Sequence, residues 1–197
     1  MTESEFLAAF NKPWQIPQVA DEPFSQAKRP AAVLICLNPV DHELHIILTK
    51  RAAHLKHHAG QISFPGGKAE AQDKNLIHTA YRETEEEIGL QASDFKLIGT
   101  LPSYRTISGF VVTPVVAKHK RGVCLNADLT LDPNEVSEAF QVPLAFLLNE
   151  HNYFVHQVNR ADTTHPVNFI HYEGHLIWGA TAGMLAHLRD HILCHCL

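Results

Sequence analysis

Residues 82–90 read Arg-Glu-Thr-Glu-Glu-Glu-Ile-Gly-Leu, the densest chemistry in the chain. Glu83, Glu86 and Glu87 stand at i, i+3 and i+4, so a helix puts all three on one face about 100° wide, with Glu85 directed elsewhere. Ile77, Tyr81, Thr84 and Ile88 recur at helical spacing and predict a helix from about Asn75 to Ile88, with Gly89 as its terminator. The acidic face adjoins that stripe, which holds the carboxylates at the edge of the core. Like charges at i, i+4 cost about 0.2–0.5 kcal/mol per pair, and acidic groups near a helix C-terminus oppose its dipole. Arg82, four residues before Glu86, offsets only part of this. A divalent cation would turn the repulsion into a binding site, and clustered carboxylates suit hard ions such as Mg2+ or Mn2+. An isolated acidic run is usually a solvated helix end. Here it follows Phe64-Pro65-Gly66-Gly67, a reversal whose glycine pair lets backbone approach a ligand closely.

Together, Gly66-Gly67 and Arg82-Glu83-Thr84-x-Glu86-Glu87-x-Gly89-Leu90 resemble the Nudix box: Gly, five residues, Glu, seven residues, then Arg-Glu-U-x-Glu-Glu-x-Gly-U with U apolar. Thr84 departs from it at an apolar position. Asp73 stands six residues after Gly67, where the box has Glu, and eight residues separate it from Arg82; Glu70 is an alternative for that acidic position. The resemblance implies an α/β fold, the Nudix-type α/β/α sandwich with a mixed sheet. It further implies Glu83, Glu86 and Glu87 as ligands of Mg2+ or Mn2+, and Arg82 as the orienting partner of a carboxylate. A further acidic residue comes from a later loop in many members; Glu135 is the candidate here, ahead of Glu138. The identity of the general base stays open.

Upstream, Leu48-Thr49-Lys50-Arg51 and Gly60-Gln61-Ile62-Ser63-Phe64-Pro65-Gly66-Gly67 are similar to the segment preceding the box in the coenzyme A pyrophosphatase subfamily, as is Trp178-Gly179-Ala180-Thr181-Ala182-Gly183 near the end. That subfamily also lengthens the box by one residue. The resemblance implies substrate binding by Arg51, Gln61, Gly66 and Gly67, and hydrolysis of the diphosphate of coenzyme A or acyl-coenzyme A to 3′,5′-ADP and 4′-phosphopantetheine or its acyl form. Coenzyme A also carries a 3′-phosphate, which needs donors of its own. Lys50, Arg51, Lys56, His57 and His58 concentrate positive or protonatable groups there. Arg51 is the strongest candidate, because a guanidinium can grip phosphate through two bonds; Lys50 and Lys56 read as solvated charges. Other readings are hydrolysis of another nucleoside diphosphate derivative, such as ADP-ribose or a dinucleotide, and a non-catalytic Nudix-fold binding module. The presence of all three helix glutamates favours catalysis over the latter.

The surrounding elements must position these groups. Residues 3–10 predict a short amphipathic helix, and Pro13, Pro17, Pro23 and Pro30 punctuate an extended lead-in. Residues 1–29 are read as this lead-in and 30–197 as the hydrolase domain. Ala31–Leu37 and Leu44–Thr49 predict a hairpin around Asn38-Pro39-Val40-Asp41. Strands are expected near 95–101, 110–117 and 136–141, a helical turn over Pro143–Leu148, a hairpin from Tyr153–Val158 and Val167–Tyr172, and a last helix from Trp178 to Leu193. Phe110, Phe140, Phe146, Phe154 and Phe169 are assigned to the core.

The 197 residues fit one domain of ordinary size, or one domain with an appended segment; 45% are hydrophobic and 19% charged, enough to bury a core. A net charge of −5 argues against nucleic acid as the partner and leaves a small phosphorylated nucleotide. No apolar run of membrane-spanning length and no secretory h-region is present, so a cytoplasmic protein is expected, with Cys36, Cys124, Cys194 and Cys196 reduced. The oligomeric state stays open, a homodimer included. His187, His191 and His195 recur every four residues beside Cys194 and Cys196, but Arg189 and Asp190 read as an exposed helix end, so no metal centre is assigned there.

Overall fold

Alternation along residues 31–37 sets the architecture. In the computed structural model, which describes residues 1–14, 29–55, 58–160 and 163–195, strand β1 (Arg29–Val40) turns Ala31, Ile35 and Leu37 to one core and Ala32, Leu34 and Cys36 to another. A strand buried on both faces needs a covering layer on each. Pro17, Pro23, Lys56, His57 and Cys196 lie outside the described residues.

Helix α1 (Glu3–Phe10) precedes β1, and β2 (Glu43–Arg51), β3 (Ile62–Ser63), β4 (Gly66–Lys68) and helix α2 (Leu76–Ile88) follow. Next come β5 (Phe95–Thr100), β6 (Tyr104–Arg105), β7 (Phe110–His119), α3 (Leu125–Asp128), β8 (Val136–Pro143) and α4 (Leu144–Leu148). Strands β9 (Tyr153–Arg160), β10 (Thr163–Tyr172) and β11 (His175–Trp178) lead into α5 (Ala180–Leu193). The main sheet runs β3-β2-β1-β7-β5, with β8 on β2, β4 on β1 and β6 on β7. β1 and β7 are parallel and the other pairings antiparallel, so the sheet is mixed. α2 covers one face; α1, α4 and α5 cover the other, where Phe6 and Ala9 of α1 are buried with Leu185, Leu188 and Ile192 of α5. β11-β10-β9 form a second, antiparallel sheet. Among the described residues no helix is long and apolar enough to cross a membrane.

Several expectations change in detail. The first hairpin turns at Asp41-His42, both with positive φ, rather than at Asn38–Asp41. The strand continues because buried Asn38 is fully engaged: its amide donates to Val123 O (3.0 Å) and Gln141 Oε1 (2.7 Å), and its oxygen accepts from Val123 N (2.7 Å). Trp178 ends a strand instead of starting the last helix, because Gly179 takes φ 66° and breaks the chain direction. Phe154 is 65% exposed and not in the core, since β9 is an edge strand, and Phe169 stacks on Trp178 across β10 and β11.

Candidate functional site

The carboxylate helix starts where Asn75 caps it, its side chain accepting from His78 N at 2.9 Å, and stops at Gly89, which takes the left-handed conformation. Its buried face is Thr79, Ala80, Thr84, Glu87 and Ile88, with Ile77 and Tyr81 only partly covered. Thr84 occupies an apolar position without cost because its hydroxyl donates to Ala80 O at 2.7 Å. The last carbonyls of α2 are satisfied from a distant loop: Ile88 O accepts from Thr130 N and Glu87 O from Asp132 N, both at 3.0 Å. These bonds hold residues 130–136 over the helix end and bring in Glu135. Ligand oxygens of Glu83, Glu87 and Glu135 lie within 4.8 Å of one another.

The helical spacing groups Glu86 with Glu83 and Glu87, but the structure does not bring it into this cluster. Its exposed carboxylate is taken by Arg82 at 2.8 Å. Glu138, the alternative to Glu135, pairs instead with His175 at 2.9 Å. Arg82 is the hub that orders the group. It donates to both oxygens of Asp73 (3.0 and 3.1 Å), to Glu83 Oε1 (3.0 Å), to Glu86 and to Lys68 O (3.0 Å). Of the two candidates for the early acidic position, Asp73 therefore engages Arg82, while Glu70 bonds Gln72. Asp73 also accepts from His78, Thr79 and Glu70 N, and its side chain is 2% exposed.

Arg82, with these further donors, holds the Asp73 carboxyl well below the usual carboxylate range. A depressed folded-state pKa contributes stability above the unfolded value and loses it as pH falls towards the folded one. Asp73→Asn should therefore destabilise the fold on the order of 3 kcal/mol at neutral pH, by leaving Arg82 without its main partner. The gap from wild type should narrow below about pH 4, where the unfolded carboxyl protonates. Denaturant melts at pH 7 and pH 3 check this, and an equal gap at both would show that charge is not the cause.

Glu87 is 2% exposed, and its Oε2 has no hydrogen-bond partner among the described residues. Burial pushes its carboxyl up to about 8, with Glu135 and Glu83 adding to the effect and Arg51 and the Gly66 N–H opposing it. Burial likewise raises Glu83. Gly67 leaves the room this carboxylate uses: a Cβ there would stand 2.4 Å from Glu83 Cδ. An orphaned buried oxygen, three converging carboxylates and an all-oxygen donor set fit a hard divalent cation.

Beside the carboxylates opens a cleft of about 640 Å³. Arg51, Gln61, Phe64, Gly66, Val167, Trp178 and Thr181 are among the residues that line it. Arg51 leaves β2 at a register shift against β8, and its charge acts on Glu87. Gln61 accepts from or donates to His58 Nδ1 at 2.6 Å, and its carbonyl accepts from Arg51 N at 2.9 Å. Thr181 donates to Ile62 O at 3.0 Å, tying the start of α5 to the segment before the glycine pair, and Gly183 accommodates Tyr104. The walls from β10 and from Thr106–Ser108 carried no chemical signal in the sequence beyond the turn marked by Gly109.

Comparison with known proteins agrees with this geometry. The NUDIX domain family matches residues 27–161. The "Uncharacterized Nudix hydrolase NudL" of Yersinia enterocolitica is 37% identical over 191 residues, covering 97% of this chain and 93% of that protein. The NudL of Yersinia pestis is 38% identical, covering 96% and 94%. Among solved structures, the Nudix hydrolase RenU of M. Smegmatis superposes with a TM-score of 0.55 at 18% identity, over 82% of this chain and 84% of that one, a likeness of fold. With the family domain spanning the carboxylate helix and full-length relatives bearing the same name, the chain belongs to the Nudix family and is a Nudix pyrophosphohydrolase acting on a nucleoside diphosphate derivative.

Proposed function

We propose that this hydrolase cleaves the diphosphate of coenzyme A or acyl-coenzyme A, water adding across the P–O–P bridge to give 3′,5′-ADP and 4′-phosphopantetheine or its acyl form. The observation that carries the reading is convergence. The two segments similar to the coenzyme A pyrophosphatase subfamily, around residues 51–67 and 178–183, are far apart in the chain yet line one cleft beside the carboxylates. That cleft is charged at Arg51 and apolar along Ile107, Val167 and Trp178, which suits a diphosphate joined to a long, weakly polar arm.

Glu83, Glu87 and Glu135 hold Mg2+ or Mn2+ in this reading. A cation bound there neutralises the diphosphate and lowers the pKa of a bound water. Glu135, the exposed member of the three, is the candidate in this reading to take the proton of the attacking water. Arg82 and Glu86 position Glu83, the N–H of Gly66 faces Glu87, and Gln61 orders the cleft edge. A cytoplasmic setting, where coenzyme A is abundant and thiols stay reduced, goes with the same reading.

Arg51 is reassigned on its position. The sequence alone pointed it at the 3′-phosphate, but it stands beside Glu87, where the reacting diphosphate would lie. Arg51→Ala should then lower kcat/KM by about 10- to 100-fold on coenzyme A and dephospho-coenzyme A alike, the worth of one charge-assisted contact. Loss confined to coenzyme A would return Arg51 to the 3′-phosphate. The function itself is tested by a panel of coenzyme A, short and long acyl-coenzyme A, ADP-ribose and a diadenosine polyphosphate, with Mg2+ and Mn2+ and products resolved by mass. Preference for a coenzyme A species is expected. Faster turnover of ADP-ribose or the dinucleotide would overturn the substrate assignment, and no turnover of any would favour a binding module.

A further inference from the structure

The end of α5 carries a second cluster, roughly 20 Å along the helix from the cleft at a rise of 1.5 Å per residue. His191, Cys194 and His195 stand at i, i+3 and i+4, and one ligand atom from each lies within 4.8 Å of the others. The helix end was expected to be exposed, yet His191 is 1% exposed, because α1 and the residues after it dock there. Trp14 stacks on the His191 ring at 4.1 Å, and Phe10 and His195 meet it edge-on.

Hydrogen bonding fixes which nitrogen of each ring is available. His191 Nε2 lies 3.1 Å from Phe10 O, and His195 Nε2 lies 3.2 Å from Pro13 O. A carbonyl only accepts, so each neutral ring carries its proton on Nε2 and keeps a lone pair on Nδ1. His191 Nδ1 is buried and has no hydrogen-bond partner among the described residues. A buried acceptor without a donor is uncommon and asks for an explanation. An imidazole whose second nitrogen donates to a backbone carbonyl is also how metal-ligating histidines are usually held. The third group, Cys194, is an exposed free thiol whose Sγ sits 3.2 Å from His191 O.

We propose that His191, through Nδ1, His195 and Cys194 form a binding site for a zinc-class transition metal ion at the end of α5, where the N-terminal segment docks. Imidazole and thiolate select Zn2+, Co2+ or Cu+ over the Mg2+ and Mn2+ that suit the all-carboxylate site. Ligand atoms of a tetrahedral zinc site are about 3.5 Å apart, so rotamer shifts of Cys194 and His195 close the remaining distance. On binding, the Cys194 thiol gives its proton to solvent and its sulfur becomes the anionic ligand.

The test uses the full chain stripped of metal and titrated with Co2+. One equivalent should produce a thiolate-to-cobalt charge-transfer band and tetrahedral d–d bands, both displaced by Zn2+. Cys194→Ser should abolish the charge-transfer band, and His195→Gln should weaken Co2+ binding at least about tenfold, while Mg2+-dependent hydrolysis by both variants stays at the wild-type rate. These two positions are chosen because replacing buried His191 could simply unfold the contact with α1. Absence of a thiolate band in the wild type, or a band that survives Cys194→Ser, would overturn the proposal and leave the histidines as ties to Phe10 and Pro13 alone.

Discussion

Glu87→Gln should lower turnover at saturating divalent cation by at least about 10²- to 10³-fold, the usual effect of removing one main electrostatic contributor at a reacting centre. The fold should survive, because glutamine keeps the shape of a side chain that is 2% exposed and removes its repulsion from Glu83 and Glu135. The pH dependence separates these effects. A carboxyl raised to about 8 in the folded protein and ordinary in the unfolded chain makes the metal-free protein lose stability as pH climbs through that interval. The variant should lack that slope. Steady-state kinetics together with thermal melts from pH 5 to about 9 read both. Near wild-type turnover would remove Glu87 from the site, and an unchanged slope would place the titrating group elsewhere.

The adjacent glycines should fail in opposite ways. A Cβ on Gly66, whose φ is 151°, would stand 2.4 Å from Ala32 O and 2.5 Å from Val33 Cα, backbone atoms of the central strand that cannot move aside. Gly66→Ala should therefore cost several kcal/mol and yield little folded protein. The atoms nearest to a Cβ on Gly67 are those at the end of the Glu83 side chain, which can rotate away. Gly67→Ala should thus melt within a few degrees of wild type but lose turnover by about 10²-fold, because Glu83 leaves both Arg82 and the carboxylate cluster. Comparable activity in Gly67→Ala and wild type would mean that the position of Glu83 is unimportant.

What was legible in the sequence was local. The period of Ile77 to Ile88 and the Gly89 stop fix α2 within its own segment, and the glycine pair marks the reversal before it. The cluster itself depends on contacts between distant segments. Asp132 and Thr130 reach the last carbonyls of α2 through backbone N–H groups, which any residue could supply, so only the acidic character of Glu135 was readable. Spacing alone put Glu86 beside Glu83 and Glu87; the reach of Arg82 to i+4 decides otherwise. β3, β4, β6 and β11 are too short for a period of two to show. His191 looked exposed from its neighbours Arg189 and Asp190, because the docking of α1 is a tertiary event.

We propose that Glu83, Glu87 and Glu135 form one cation site whose buried member, Glu87, holds a proton until the ion arrives. Calorimetric titration with Mn2+ at pH 7, in two buffers of different ionisation enthalpy, tests it most directly. A transition metal can also enter the His191 site, so the protein used is Cys194→Ser, with Glu87→Gln added in a parallel sample. One saturable ion per chain and release of close to one proton are expected, both lost with Glu87→Gln. Binding with no proton released, or binding that persists unchanged without the Glu87 carboxylate, would contradict it.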